Sequence, residues 1–191
     1  MQSERLSMSP AASDHTNTFA TGFAPIAAPD ANVLILGSLP SQQSLQKQEY
    51  YGNPQNAFWR VMGELFGAGP EVAYTDRALV LQQNGIAVWD VLKSSVRPGS
   101  MDAAIDLSTA KPNDFPMFFD RHPDIELVCF NGKKARELYE RLVAPQIGGN
   151  IGSLEYKSMP STSPAYAAMS FDEKVRQWSF VRLVAGNHRR S

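Results

Sequence analysis

The chain has 191 residues, 43% hydrophobic and 19% charged, a balance that suits one globular domain with a real core. A single cysteine, Cys129, excludes a disulfide framework, a cysteine-rich zinc site and a four-cysteine iron–sulfur cluster, and three histidines leave little for a histidine-rich centre. The net charge of −1 excludes a bulk polycation, yet Lys/Arg against Asp/Glu stands at 8 to 14 in residues 1–132 and 10 to 5 in residues 133–191, which permits a basic face.

Residues 1–22 are rich in Ser, Thr and Ala and read as a flexible tail. The N-terminus lacks the basic start and apolar stretch of a secretory signal, and no apolar run nears the roughly 20 residues of a membrane span. A cytoplasmic protein is the expectation. Residues 23–187 are expected to form one domain, with 188–191 as a second tail. Phe23-Ala24-Pro25-Ile26 could dock on the core as an extended strip.

Val33-Leu34-Ile35-Leu36 is a short apolar run ended by Gly37, as in a strand buried on both faces. Ile86–Trp89, Leu127–Phe130 and the weaker Leu154–Lys157 are similar runs. Helical patterns lie between them. Phe58, Met62, Leu65 and Phe66 share one helix face, and residues 133–143 and 171–184 read as helices. Ser170 and Glu173 have capping-box spacing. The crossover 98–122 is irregular, with a short helix near Pro116–Arg121. The alternation predicts a three-layer α/β/α sandwich on a mainly parallel four-stranded sheet. Ligands in such folds sit at the carboxyl ends of the strands. That rule selects the loops Gly37–Asn56, Asp90–Ser100, Asn131–Lys134 and Ser158–Tyr166.

The first loop holds Gly37-Ser38-Leu39-Pro40-Ser41 and then Tyr50-Tyr51-Gly52-Asn53-Pro54-Gln55-Asn56-Ala57-Phe58-Trp59. It is neither a P-loop nor a dinucleotide fingerprint. The fourth loop, Met159-Pro160-Ser161-Thr162-Ser163-Pro164-Ala165-Tyr166, is small, polar and proline-stiffened, and suits close approach to a phosphate. With Trp89-Asp90-Val91 and Asn131-Gly132-Lys133-Lys134, these segments resemble the uracil-DNA glycosylase superfamily, and within it the hypoxanthine-DNA (deoxyinosine) glycosylase branch. Each motif alone is weak; their order and spacing over residues 23–184 are more specific.

The resemblance implies a metal-free, cofactor-free enzyme that flips a deaminated base out of DNA and hydrolyses its N-glycosidic bond. Mismatch-specific relatives carry a catalytic Asn where this chain has Leu39, which cannot orient water. The deoxyinosine branch also lacks that Asn and is thought to use one in the following segment, here Asn56 or Asn53. Asn53 before Pro54 has the look of a helix cap and first-turn proline, which favours Asn56 as the water-orienting residue. An Asn cannot act as a strong base, so it would position water and stabilise charge.

Gly37, Ser38, Leu39 and Pro40 would form the pocket floor, where backbone N–H groups could bind the leaving base; a simple tight turn is the alternative. The resemblance places Tyr51 as the aromatic stacked on the base, worth about 1–3 kcal/mol, or else as a core aromatic; Tyr50 suits the core part. Asp90 stands where uracil-specific relatives read the base edge with Asn. An ionised carboxylate accepts the N1–H of hypoxanthine and repels the N1 lone pair of adenine. A capping role is the plainer alternative. Asn131 falls in the same pocket.

The resemblance places Ser161, Thr162 and Ser163 on DNA phosphates, with Met159 where uracil-specific members have His. Ser41 is expected near the DNA. Tyr166 could wedge into the vacated stack or be a surface aromatic. Lys133 and Lys134 open a helix against its dipole, which suggests phosphate contact, with ordinary surface charge as an equal alternative. Neither lysine is well placed by motif for Schiff-base chemistry, so a monofunctional enzyme is expected; a monomer is expected as well. Its alternatives are a mismatch-type uracil/xanthine glycosylase, a silent lesion binder and, least favoured, a nucleoside hydrolase.

Overall fold

The computed structural model describes residues 19–147 and 154–188. The expectations for residues 1–18 and 189–191 fall outside them. Four strands form the parallel central sheet: β2 (Val33–Gly37), β3 (Ile86–Asp90), β6 (Leu127–Asn131) and β7 (Glu155–Met159), in the order β3-β2-β6-β7. Every residue of β2 and β3 is buried. Neighbouring residues of a strand point to opposite faces, so helices must cover both faces. This is the three-layer arrangement expected.

Helices α2 (Phe58–Phe66), α5 (Lys133–Leu142), α7 (Phe171–His188) and the short α4 (Phe115–Arg121) lie where the apolar spacing predicts them. In α2 the buried face is Phe58, Val61, Met62 and Leu65, and Gly67 ends the helix at φ +78°, donating to Gly63 O at 2.9 Å. Ser170 Oγ accepts from Glu173 N at 3.2 Å at the start of α7. Trp178 of α7 is fully buried edge-on to Phe58, and its Nε1 donates to Pro160 O at 3.0 Å. One aromatic thus ties α7 to α2 and to the fourth loop. Cys129 is buried within β6.

Four helical segments and a second sheet were not expected: α1 (Gln42–Lys47), α3 (Tyr74–Gln83), α6 (Ala144–Ile147), a 3₁₀ turn at Asp102–Ala104, and antiparallel strands β1 (Phe19–Thr21), β4 (Leu92–Val96) and β5 (Lys111–Pro112). β1 pairs with β4, so Phe19–Thr21, expected in the tail, form a strand. β4 likewise occupies the middle of what was expected to be a loop, Asp90–Ser100. Ile26 docks on the core as anticipated, exchanging backbone hydrogen bonds of 2.9 and 2.8 Å with Val88. Among the described residues no helix is long and apolar enough to cross a membrane.

Candidate active site

The carboxyl ends of β2, β3, β6 and β7 open into a cleft of about 470 Å³, lined by all four loops selected from the sequence. Its floor is the turn after β2. Val91 N donates to Gly37 O at 2.9 Å and Leu92 N to Ser38 O at 3.0 Å, which prolongs the β2–β3 ladder past the strand ends. The N–H groups of Ser38, Leu39 and Tyr51, all in the cleft lining, have no hydrogen-bond partner among the described residues. Unpaired donors in a concave site suit an acceptor on a ligand.

Arg97 braces this floor from behind. It is 1% exposed, donates from Nη1 to Leu39 O at 3.1 Å, from Nη2 to Pro40 O, and from Nε to Gly99 O at 3.3 Å. Asp102 sits at 4.0 Å from Arg97 Nη1 and accepts the Ser38 hydroxyl at 2.6 Å. Burial raises the pKa of Asp102, opposed by its bond to Ser38, by Arg97 and by Lys134.

Asp90, the last residue of β3, is 4% exposed, and its Oδ2 is buried with no hydrogen-bond partner. Burial pushes its pKa up to about 7; the negative charge of Asp102 adds to the rise and Arg97 opposes it. Its carboxylate stands against the bare Cα of Gly37, where any side chain would collide with it. The Tyr51 hydroxyl lies beside the same point, also buried and unpartnered. Asp90 is therefore not a strand-end cap. Its backbone carbonyl, rather than its carboxylate, takes the Asn113 amide at 2.8 Å.

Tyr51 adopts φ +53°, a conformation that costs a non-glycine residue energy and marks a constrained site. One ring face stacks on Phe58 at 3.8 Å between centroids. Tyr50 takes the core role: it is 3% exposed, its carbonyl accepts Trp59 Nε1 at 2.7 Å and its hydroxyl donates to Ala24 O at 3.2 Å.

The expected helix start at Asn53-Pro54 is not found. Residues 53–56 form a turn, with Asn53 Oδ1 accepting from Gln55 N at 2.9 Å and Asn56 N donating to Asn53 O at 2.9 Å. Helix α2 begins at Phe58, and Asn56 Oδ1 accepts from Phe58 N at 2.9 Å. Asn56, not Asn53, bonds the helix entry: Ala57 holds the cap position, and the Asn56 side-chain oxygen reaches the N–H of Phe58, the first helical residue. Both Asn residues line the cleft.

Three of the expected site residues also hold the fold together. Asn131 lines the cleft, but its Oδ1 accepts from Thr162 N at 2.9 Å and its Nδ2 donates to Thr162 Oγ1 at 2.8 Å, so it latches the fourth loop. Thr162 is 1% exposed and its hydroxyl oxygen accepts that bond, while its carbonyl receives Ala57 N at 2.9 Å. Ser41 caps α1, accepting from Ser44 N at 3.2 Å, while Ser44 Oγ accepts from Gly52 N at 3.0 Å. Ser161, Ser163, Lys133, Lys134 and Tyr166 all lie at the cleft. Lys134 is paired with Glu137 at 3.3 Å on the exposed side of α5, and Lys174 Nζ holds the Tyr166 carbonyl at 2.9 Å.

No role was expected for Arg97, which lies inside a loop selected from the sequence, or for Met101, Asp102 and Ala103, which line the cleft just beyond that loop. The Pro98-Gly99 pair was the available signal, since it marks a tight turn between two opposite charges.

The sheet order and the cleft at its carboxyl edge define a doubly wound α/β protein with a ligand-sized pocket. The chain belongs to the uracil DNA glycosylase superfamily, whose family model matches residues 24–185. It is 38% identical over 161 residues to a hypoxanthine DNA glycosylase of Methanosarcina acetivorans, covering 84% of this chain and 96% of that one. A hypoxanthine DNA glycosylase of Methanosarcina barkeri is 40% identical over 123 residues, covering 64% and 76%. A solution NMR structure from Methanosarcina acetivorans, named as a candidate uracil DNA glycosylase, superposes with a TM-score of 0.73 at 37% identity, covering 88% of this chain and 99% of that one.

Proposed function

We propose that this protein is a monofunctional DNA glycosylase that excises deaminated bases, hypoxanthine before others, by hydrolysis of the N-glycosidic bond. The observation that carries the reading is Asp90: a carboxylate 4% exposed, with a buried unpartnered oxygen, in a cleft of a chain whose relatives bear the name hypoxanthine DNA glycosylase. A buried polar atom left unpaired is costly, and a ligand N–H would pair it. Hypoxanthine offers that N–H at N1 to the ionised carboxylate, the form present above about pH 7; adenine offers a lone pair there, which that form repels.

The flipped base enters over Gly37. Tyr51, backed by Phe58, supplies an aromatic surface at the cleft wall. The free N–H groups of Ser38, Leu39 and Tyr51 stabilise negative charge on the leaving base. Asn56, with Asn53 as the alternative, positions water: its Oδ1 is fixed by Phe58 N, which leaves its amide donors to the cleft side chemistry. Ser161, Ser163, Lys133 and Lys134 face the backbone of the DNA, and Tyr166 fills the vacated stack. The enzyme acts as a monomer in the cytoplasm.

Labelled duplexes each holding one hypoxanthine, uracil or xanthine test this reading with wild type and Asn56→Ala side by side. Alkali-revealed cleavage at hypoxanthine that collapses in Asn56→Ala is the expected result. Product at uracil or xanthine alone makes this a mismatch-type enzyme, and lesion binding without product makes it a silent binder. Activity on free inosine without a salt-sensitive affinity for DNA contradicts a DNA enzyme.

A further inference from the structure

One step of that reaction has no owner among the residues assigned so far. Water attacking C1′ must lose a proton, and neither Asn56 nor Asn53 can take one. Leu39 has no polar side-chain atom. The cleft nevertheless holds a second carboxylate, brought in by the crossover that the sequence left irregular. Asp102 stands on the 3₁₀ turn after Arg97 and is fixed by the Ser38 hydroxyl at 2.6 Å, next in the chain to Leu39. Its Oδ2 makes no hydrogen bond among the described residues.

The two carboxylates lie at different depths. Asp90 is 4% exposed, whereas the side chain of Asp102 is 45% exposed. A flipped nucleotide enters base first, so the deep carboxylate meets the base edge and the shallow one meets the sugar. A carboxylate at the sugar offsets positive charge on C1′ and accepts a proton from water.

We propose that Asp102 is the catalytic carboxylate that stabilises the oxocarbenium charge at C1′ and accepts the proton of the attacking water. The C1′–N9 bond breaks and its electron pair leaves with the base. The water oxygen bonds to C1′, and one water proton passes to Asp102 Oδ2 and then to solvent. The departing base takes up a proton from solvent. The products are an abasic site carrying a C1′ hydroxyl and the free base. This assignment rests on the glycosylase reading above.

Asp102→Asn keeps an acceptor for Ser38 and removes the proton acceptor. Single-turnover excision and duplex affinity are measured on one hypoxanthine duplex for wild type, Asp102→Asn and Asp102→Glu. The expected result is a single-turnover rate at least about 100-fold lower in Asp102→Asn, with affinity within threefold of wild type and part of the rate restored in Asp102→Glu. An Asp102→Asn rate within threefold of wild type overturns the assignment. Equal loss of rate and affinity also overturns it, because Asp102 then only shapes the cleft. A wild type that forms no product on any lesion overturns the glycosylase reading itself.

Discussion

Asn131 holds Thr162 by two hydrogen bonds at once, 2.9 Å to its backbone N–H and 2.8 Å from its own amide to the Thr162 hydroxyl. The pair joins the end of β6 to the fourth loop, and Thr162 O carries the link on to Ala57 N at the entry to α2. Asn131→Ala and Thr162→Val should therefore be strongly coupled. A double-mutant cycle by urea denaturation is expected to give a coupling of about 1–2 kcal/mol. Additive effects would mean that Asn131 is free to read the base.

Gly37→Ala places a methyl group on the Asp90 carboxylate and within 3.2 Å of the Tyr51 hydroxyl. Both groups have buried, unpartnered oxygens, so the methyl group must displace one of them. The substitution is expected to cost about 1–3 kcal/mol by overpacking and to abolish measurable excision. A variant with wild-type melting and activity would show that the carboxylate swings away freely.

Arg97 faces Asp102 at 4.0 Å and satisfies the carbonyls of Leu39, Pro40 and Gly99 from the interior. Arg97→Met keeps much of the volume and strands those oxygens. About 3 kcal/mol of destabilisation is expected in chemical denaturation, with excision lost because the floor is no longer braced. Retained stability would make the arginine dispensable.

Asp90 should leave a signature in the pH dependence of stability. Its folded pKa is raised to about 7 from 3.8. The folded protein then holds a proton that the unfolded chain has released, a contribution present in full below about pH 4 and lost as pH rises through about 7. Asp90→Asn lacks this dependence. Its melting temperature relative to wild type should be higher at pH 8 than at pH 5, by more than the roughly 3 °C that 1 kcal/mol represents at this size. An offset that does not change with pH would mean that Asp90 is not held in a protonated state.

The central sheet was legible because β2, β3 and β6 are buried on both faces and so read as unbroken apolar runs. β7 is an edge strand with the pattern Glu155-Tyr156-Lys157-Ser158-Met159, and its signal was correspondingly weak. α1 is six residues of mostly polar side chains, and α3 buries only Leu81, so neither shows a periodic apolar stripe. β4 reads Leu92-Lys93-Ser94-Ser95-Val96, and its two buried serines disguised a strand. The same segment hid Arg97 and Asp102, whose importance comes from contacts with the distant turn after β2. Asn53-Pro54 misled for a local reason: a turn and a helix start use the same residues, and only the tertiary bond from Ala57 to Thr162 decides between them.

The most direct test of the account is excision from duplexes that carry hypoxanthine or adenine at the same position, by wild type and by Asp90→Asn. Wild type should release hypoxanthine and leave adenine untouched, and Asp90→Asn should release hypoxanthine at least about tenfold more slowly, because the acceptor for N1–H is weakened. Full activity and unchanged selectivity in Asp90→Asn would contradict the assignment of Asp90 as the reader of the base.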